Sequence, residues 1–111
     1  MNKIQQYRKV SAKKIGLKLE DHELLGKVYR NYKTQFIVPI DAWQPDTNHN
    51  QMAMVLDLVL KSGWQVYLFA EDNGEYWVRF KTINKDSIEA FADLLPIAFM
   101  KAFLAYVESI K

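Results

Sequence analysis

The stretch from Trp64 to Thr82 constrains this chain more than any other. It reads Trp-Gln-Val-Tyr-Leu-Phe-Ala, then Glu-Asp-Asn-Gly-Glu, then Tyr-Trp-Val-Arg-Phe-Lys-Thr. β-Branched and aromatic residues on both sides of Asn73-Gly74 predict a β-hairpin, because that dipeptide tolerates the positive φ a tight turn needs. Side-chain parity then sets the register, since a slip of one residue would exchange every side chain between the two faces. With Asp72, Asn73 and Gly74 as a three-residue loop and Gly74 left-handed, Ala70 faces Tyr76, Leu68 faces Val78, Val66 faces Phe80 and Trp64 faces Thr82. That face is almost wholly apolar. The other carries Phe69 opposite Trp77, Tyr67 opposite Arg79 and Gln65 opposite Lys81. A sheet wet on one side alternates more cleanly, so this composition predicts cover on both faces.

At 111 residues the chain is expected to form one domain, 1–111, large enough to bury a core without disulfides or metal. It contains no cysteine, which excludes a disulfide framework, a cysteine nucleophile and a thiolate metal site. The amino-terminal residues lack the apolar run and small-residue cleavage site of a secretory signal, and no apolar stretch is long enough to span a bilayer. A cytoplasmic protein is the expectation. Net charge is only +2, but residues 1–33 hold nine Lys or Arg against three Asp or Glu, and residues 34–111 hold six against ten. The front third is the basic part.

From Asn2 to Lys14, Ile4, Tyr7 and Val10 recur at helical spacing among lysines, and Gly16 is placed to end the helix. Residues 1–19 therefore form a basic helix or arm, ahead of a sandwich body over 20–111. Asp21 and its acidic neighbours suggest a second helix running to about Asn31, burying Leu24, Leu25 and Val28, with Gly26 a cost in its interior. Thr34 to Val38 is a short strand ended by Pro39, and Trp43 looks like a plug at the core's edge. Asp46-Thr47-Asn48 offers cap chemistry for a helix whose Met52, Val55, Leu56, Val59 and Leu60 form one face, stopped by Gly63. After the hairpin, Ser87 to Ala92 reads as extended or frayed. The last helix starts near Leu95 with Pro96 in its first turn, and is apolar nearly all round. The fold class expected is α+β: a small antiparallel sheet with a central hairpin at about 64–82, packed by helices on both faces as an α/β/α sandwich.

Trp43-Gln-Pro-Asp-Thr-Asn, the apolar helix to Leu60, Trp-Gln-Val-Tyr-Leu, Trp77-Val-Arg-Phe and Ala92-Asp-Leu-Leu-Pro-Ile-Ala-Phe-Met-Lys-Ala-Phe-Leu together resemble the phage ABA sandwich domain family. The resemblance covers roughly Leu24 to Val107, and its motifs are structural punctuation. It implies a small α/β sandwich encoded by a phage or prophage, and it transfers no catalytic or binding residue because the family has no established activity. The chain departs from the pattern at Asp93-Leu94, where a threonine is common, and in its basic leader.

No serine elbow, phosphate-binding glycine loop, dinucleotide fingerprint or zinc-protease helix is present, so nothing passes the checklist for an active site and no cofactor or metal is implied. Asp46-Thr47-Asn48-His49-Asn50 and Glu20-Asp21-His22-Glu23 contain ligand atoms, but helix starts account for both better than a metal does. Tyr7, Arg8, Lys9, Lys13, Lys14 and Lys18, followed by Lys27, Tyr29, Arg30, Tyr32 and Lys33, interleave aromatics with cations as phosphate-tracking, base-stacking surfaces do. The plain alternative has the tyrosines packed on the core and the lysines solvated; an acidic protein or a membrane surface would also suit the charge. In the last helix Phe99, Phe103, Tyr106 and Ile110 form an aromatic stripe available to a second subunit, unless the leader covers it. The reading is a non-enzymatic binding module with a protein partner. It would be a phage or prophage accessory protein acting on a host or phage macromolecule, inhibition of a host defence system being one form. The alternative is nucleic-acid binding through the basic third, using Tyr7, Arg8, Lys9, Lys13, Lys14, Lys18, Lys27, Arg30 and Lys33.

Overall fold

The computed structural model describes residues 2–110; Met1 and Lys111 of the expected 1–111 domain lie outside them. Helix α1 (Lys3–Lys14) begins where the Asn2 side chain accepts from the Gln5 amide at 2.8 Å, satisfying one of the donors a helix start leaves open. It ends at Gly16, whose φ of +87° suits a residue without Cβ. Tyr7, Ser11 and Ala12 are buried, so the basic leader is a packed part of the body.

The second helix expected between Asp21 and Asn31 is instead a hairpin, β1 (Lys18–His22) and β2 (Gly26–Asn31). The physical reason is visible in the pairing. Lys18 sits opposite Arg30, Asp21 opposite Lys27 and His22 opposite Gly26, and the Lys27 ammonium lies 3.0 Å from the Asp21 carboxylate. Gly26, at φ +75°, closes the turn, and the His22 ring nitrogen accepts from the amides of Leu24 and Leu25. Leu24, expected in the core, is 89% exposed at the turn's tip, and Leu25 is exposed too, whereas Val28 is buried. Strand β3 (Phe36–Pro39) pairs with β2 and completes a three-stranded antiparallel sheet.

A single 3-10 turn over Ile40–Ala42 delivers Trp43 into the core, fully buried. Its indole N–H donates to the Arg8 carbonyl at 3.0 Å and lies 3.2 Å from Ser11 Oγ, so the polar edge of the ring is satisfied where the ring is buried. Helix α2 (His49–Lys61) is capped by Asn48, which accepts from the Gln51 amide, and it buries Met52, Val55 and Val59; Leu60 is exposed.

A second antiparallel sheet follows, in the order β4 (Gln65–Ala70), β5 (Tyr76–Thr82), β6 (Lys85–Ala92). The six pairs from Gln65–Lys81 to Ala70–Tyr76 are those the parity argument predicts, with Gly74 at φ +85° and Glu71 bonded to Glu75 around the loop. The extended segment near Ser87 to Ala92 is the third strand. Helix α3 (Leu95–Ser109) starts with proline in its first turn and buries Ala98, Phe99, Met100, Ala102, Phe103, Tyr106 and Val107. Phe80 of β5 packs against Phe99 and Tyr106. One hydrophobic core thus joins α1, α2, α3, Trp43, Val38 and the Val78-Phe80 face of the second sheet. The α+β architecture is as expected, with two three-stranded sheets where one was expected; the helices lie on the Val78-Phe80 face of the second sheet, and its Phe69-Trp77 face is open.

Candidate functional site

The open face of β4-β5-β6 is the most distinctive surface of the molecule. Phe69 on β4, Trp77 on β5 and Phe91 on β6 share one cross-strand row. Their rings stack with centroids 4.6 Å and 5.9 Å apart and interplanar angles of 26° and 10°. Tyr67, two residues along β4, stacks on Phe69 at 6.2 Å and 10°. Phe69 is 39% and Phe91 50% exposed, Tyr67 is similarly open, and Trp77 between them is half-buried.

Stacking explains how this much aromatic surface stays on a solvated face. Each ring covers its neighbour, which contributes about 0.5–1.5 kcal/mol per pair beyond burial. Arg79 adds a further layer. Its guanidinium carbon lies 4.6 Å from the Trp77 ring centre, in the range of a cation–π contact, while its Nε donates to Glu89 at 2.9 Å. The Trp77 indole N–H is covered and has no acceptor among the described residues. Gln65, which accepts from the Tyr67 hydroxyl at 3.0 Å, and Lys81 form the polar margin.

The basic residues singled out from the sequence do not converge in this way. Tyr7 is on the buried side of α1, and burial, then the charge of Asp46, raises its phenol pKa above the usual value. Arg8 grips the buried Asp46 carboxylate through two bonds of 2.9 and 3.2 Å, so Asp46 is neither a cap nor a free metal ligand. Lys27 pairs with Asp21, and Arg30 lies 3.6 Å from Glu20 and above the Tyr32 ring. Tyr32 donates to Glu20, a bond that pushes its pKa up, and burial does the same to the half-buried Tyr29. Lys9, Lys13, Lys14, Lys18 and Lys33 remain exposed. The cations are therefore scattered over α1 and the first sheet, and the tyrosines among them are already engaged.

The stripe proposed on the last helix is corrected outright. Phe99, Phe103 and Tyr106 lie in the core, and the Tyr106 hydroxyl shares a 2.8 Å bond with Ser62 Oγ; only Ile110 is exposed. A second subunit has no access to that face.

Several open hollows lie on the surface of the described residues. One of ≈690 Å³ lies between β6 and the end of α3, lined by Trp64, Ile83, Asn84, Lys85, Asp86, Ser87, Ile88 and Ser109; its polar residues are all exposed. Among the described residues no three His, Asp or Glu side chains gather as a metal would need, and no helix is long and apolar enough to cross a membrane.

Comparison with family models, with curated proteins and with solved structures returned no match. Hairpin parity places Phe69 opposite Trp77, as observed, but the cover expected over that face is absent and Phe69 is exposed. The signal that could have separated the two faces was the company they keep: Arg79, Lys81, Gln65 and Glu89 on one side, against Val66, Val78, Phe80 and Ile88 on the other.

Proposed function

We propose that this chain is a non-enzymatic binding module whose contact surface is the stacked row Tyr67, Phe69, Trp77 and Phe91. The supporting observation is that these four side chains form a continuous apolar patch on the solvent side of a sheet whose other side carries the core. Contiguous exposed apolar patches rimmed by polar residues mark interaction sites, and aromatic side chains supply most of the energy at such contacts.

A protein partner suits the patch better than nucleic acid does. Base recognition on a sheet uses ring faces left free for stacking. At 4.6 Å Phe69 and Trp77 turn their faces to one another, leaving edges that apolar side chains of a protein can pack against. The resemblance to phage sandwich domains supplies the setting of the proposal: an accessory protein of a phage or prophage, acting on a host or phage macromolecule in the host cytoplasm, with inhibition of a host defence system as one form.

The test compares capture from bacterial lysate by the native chain, by Phe69→Ser/Phe91→Ser and by Lys9→Gln/Lys13→Gln/Lys14→Gln. Point variants are needed because removing the leader would take Tyr7 and Ala12 out of the core. The reading expects a captured protein to be lost with the aromatic pair and kept with the lysine triple. Loss with the lysines alone, or recovery of nucleic acid, would overturn it in favour of the basic leader.

A further inference from the structure

We propose that β4 is the interface of a homodimer, in which two copies pair their β4 strands antiparallel about a two-fold axis through Leu68 and join their sheets into one of six strands. β4 is an edge strand: among the described residues, β5 lies on one side of it and no strand on the other. Soluble proteins protect such edges with charges, proline, bulges or a covering group. β6, at the opposite edge, has several of these, with Lys85, Asp86 and Glu89 along it, a register shift where it meets Phe80 and Thr82, and the Lys101 ammonium bonded to the Phe91 carbonyl at 3.1 Å. β4 has none. Its six residues, Gln-Val-Tyr-Leu-Phe-Ala, carry no charge and no proline, and all but Val66 are exposed. Leu68 is 41% exposed even though it points to the side that carries the core.

The register of such a pair can be derived. Glu71 donates its amide to the Glu75 carbonyl at 2.8 Å. Bonding alternates along an antiparallel strand, so Phe69, Tyr67 and Gln65 also turn their backbone groups toward β5. Val66, Leu68 and Ala70 turn theirs outward. A two-fold axis perpendicular to the sheet at Leu68 places Leu68 opposite its own copy, and Val66 opposite the second copy's Ala70. Every outward N–H and C=O of these three residues then has a partner. In the same register Phe69 stands opposite the second copy's Tyr67, extending each aromatic row across the junction.

Charge fits this arrangement. The hairpin tip carries Glu71, Asp72 and Glu75 without a cation, while the opposite end of the sheet carries Lys81 and Lys85. Antiparallel pairing sets the acidic tip of one copy beside the basic end of the other, with Glu71 opposite Gln65, the row neighbour of Lys81. The patch proposed for the partner stays open on one face of the joined sheet, with Tyr67 and Phe69 of the two copies side by side at its centre.

Light scattering over a dilution series tests this directly. The mass is expected to rise from the 13.0 kDa of one chain toward twice that value as concentration increases. Leu68→Lys sets two ammonium groups opposite one another and Leu68→Pro removes an outward N–H; each is expected to weaken association roughly tenfold or more while circular dichroism stays native. Because the chain has no cysteine, Leu68→Cys reports register without ambiguity. Its oxidation is expected to give a covalent dimer, since hydrogen-bonded antiparallel pairs fall within disulfide reach, and Tyr67→Cys is expected not to. A single-chain mass at every concentration, association indifferent to Leu68→Lys, or cross-linking through Tyr67→Cys instead of Leu68→Cys would each overturn the proposal. Phe91→Ser separates the two proposals: it is expected to lose the partner and keep the dimer.

Discussion

Replacing Arg8 with alanine is expected to destabilise the fold far more than replacing the residue it binds. The Asp46 side chain is 1% exposed and is held through Nε and Nη2 by Arg8, whose side chain is 30% exposed. Arg8→Ala leaves a carboxylate in the interior with its counter-charge gone. Removing one member of a buried pair costs about 3–5 kcal/mol, and access of water on the Arg8 side puts this case near the lower end, at about 3 kcal/mol. In Asp46→Ala the stranded group is the arginine, which can turn its charge to water, so the loss is only about 1–2 kcal/mol. The double variant should cost less than the sum of the two, with a coupling on the order of 1–3 kcal/mol. Urea unfolding followed by tryptophan fluorescence reads all three. Lys27→Ala, which breaks the exposed pair with Asp21, serves as the control and should change stability by about 0.5 kcal/mol or less. An Arg8→Ala cost no larger than that of Asp46→Ala, or a cost as small as the control's, would refute the reasoning.

Gly26→Ala separates a hairpin from a helix by sign. At φ +75° with nothing within 4 Å of an added Cβ, alanine is expected to cost about 1–2 kcal/mol for its left-handed backbone, whereas in a helix interior it would stabilise by about 1 kcal/mol; chemical denaturation decides. Phe99→Ala, in the core, is expected to cost about 3–5 kcal/mol, and Phe91→Ala, on the open face, about 1 kcal/mol, measured in the same way. Tyr7 predicts a pH dependence. Its pKa is raised on folding, by burial first and Asp46 second, from an ordinary value of 10.0, so its contribution is complete below about pH 10 and is lost as pH rises through the higher folded-state value. Thermal melts of Tyr7→Phe should therefore fall less steeply than those of the native chain above pH 10; parallel curves would count against this.

The second sheet was legible because its information is local. Asn73-Gly74 sets the turn, and parity from it orders every pair from Ala70–Tyr76 to Gln65–Lys81. Helix ends were legible for the same reason, since Asn48, Gly16, Gly63 and Pro96 act on their own backbone. The first hairpin was not, because Glu20-Asp21-His22-Glu23 suits a helix start as well as a turn, and what decides between them is a set of cross-strand partners, Lys27 for Asp21 and Arg30 for Glu20. Knowing those partners requires the fold. Arg8 was misjudged in the same way, as its carboxylate lies 38 residues away.

The aromatic face was the most instructive miss. Phe69 and Trp77 are the kind of residues that fill cores, and composition alone assigns them there. They stay outside because Tyr67, Phe91 and Arg79 cover part of them, a lateral solution that no single-strand pattern encodes.

A soluble paramagnetic probe added to the isotope-labelled protein, with ring signals read by nuclear magnetic resonance, addresses the claim that one face of the second sheet carries the core and the other is left for contact. Strong broadening of Tyr67, Phe69 and Phe91, with Phe80, Phe99 and Phe103 untouched, is the expected result. Equal protection of both sets would contradict the account.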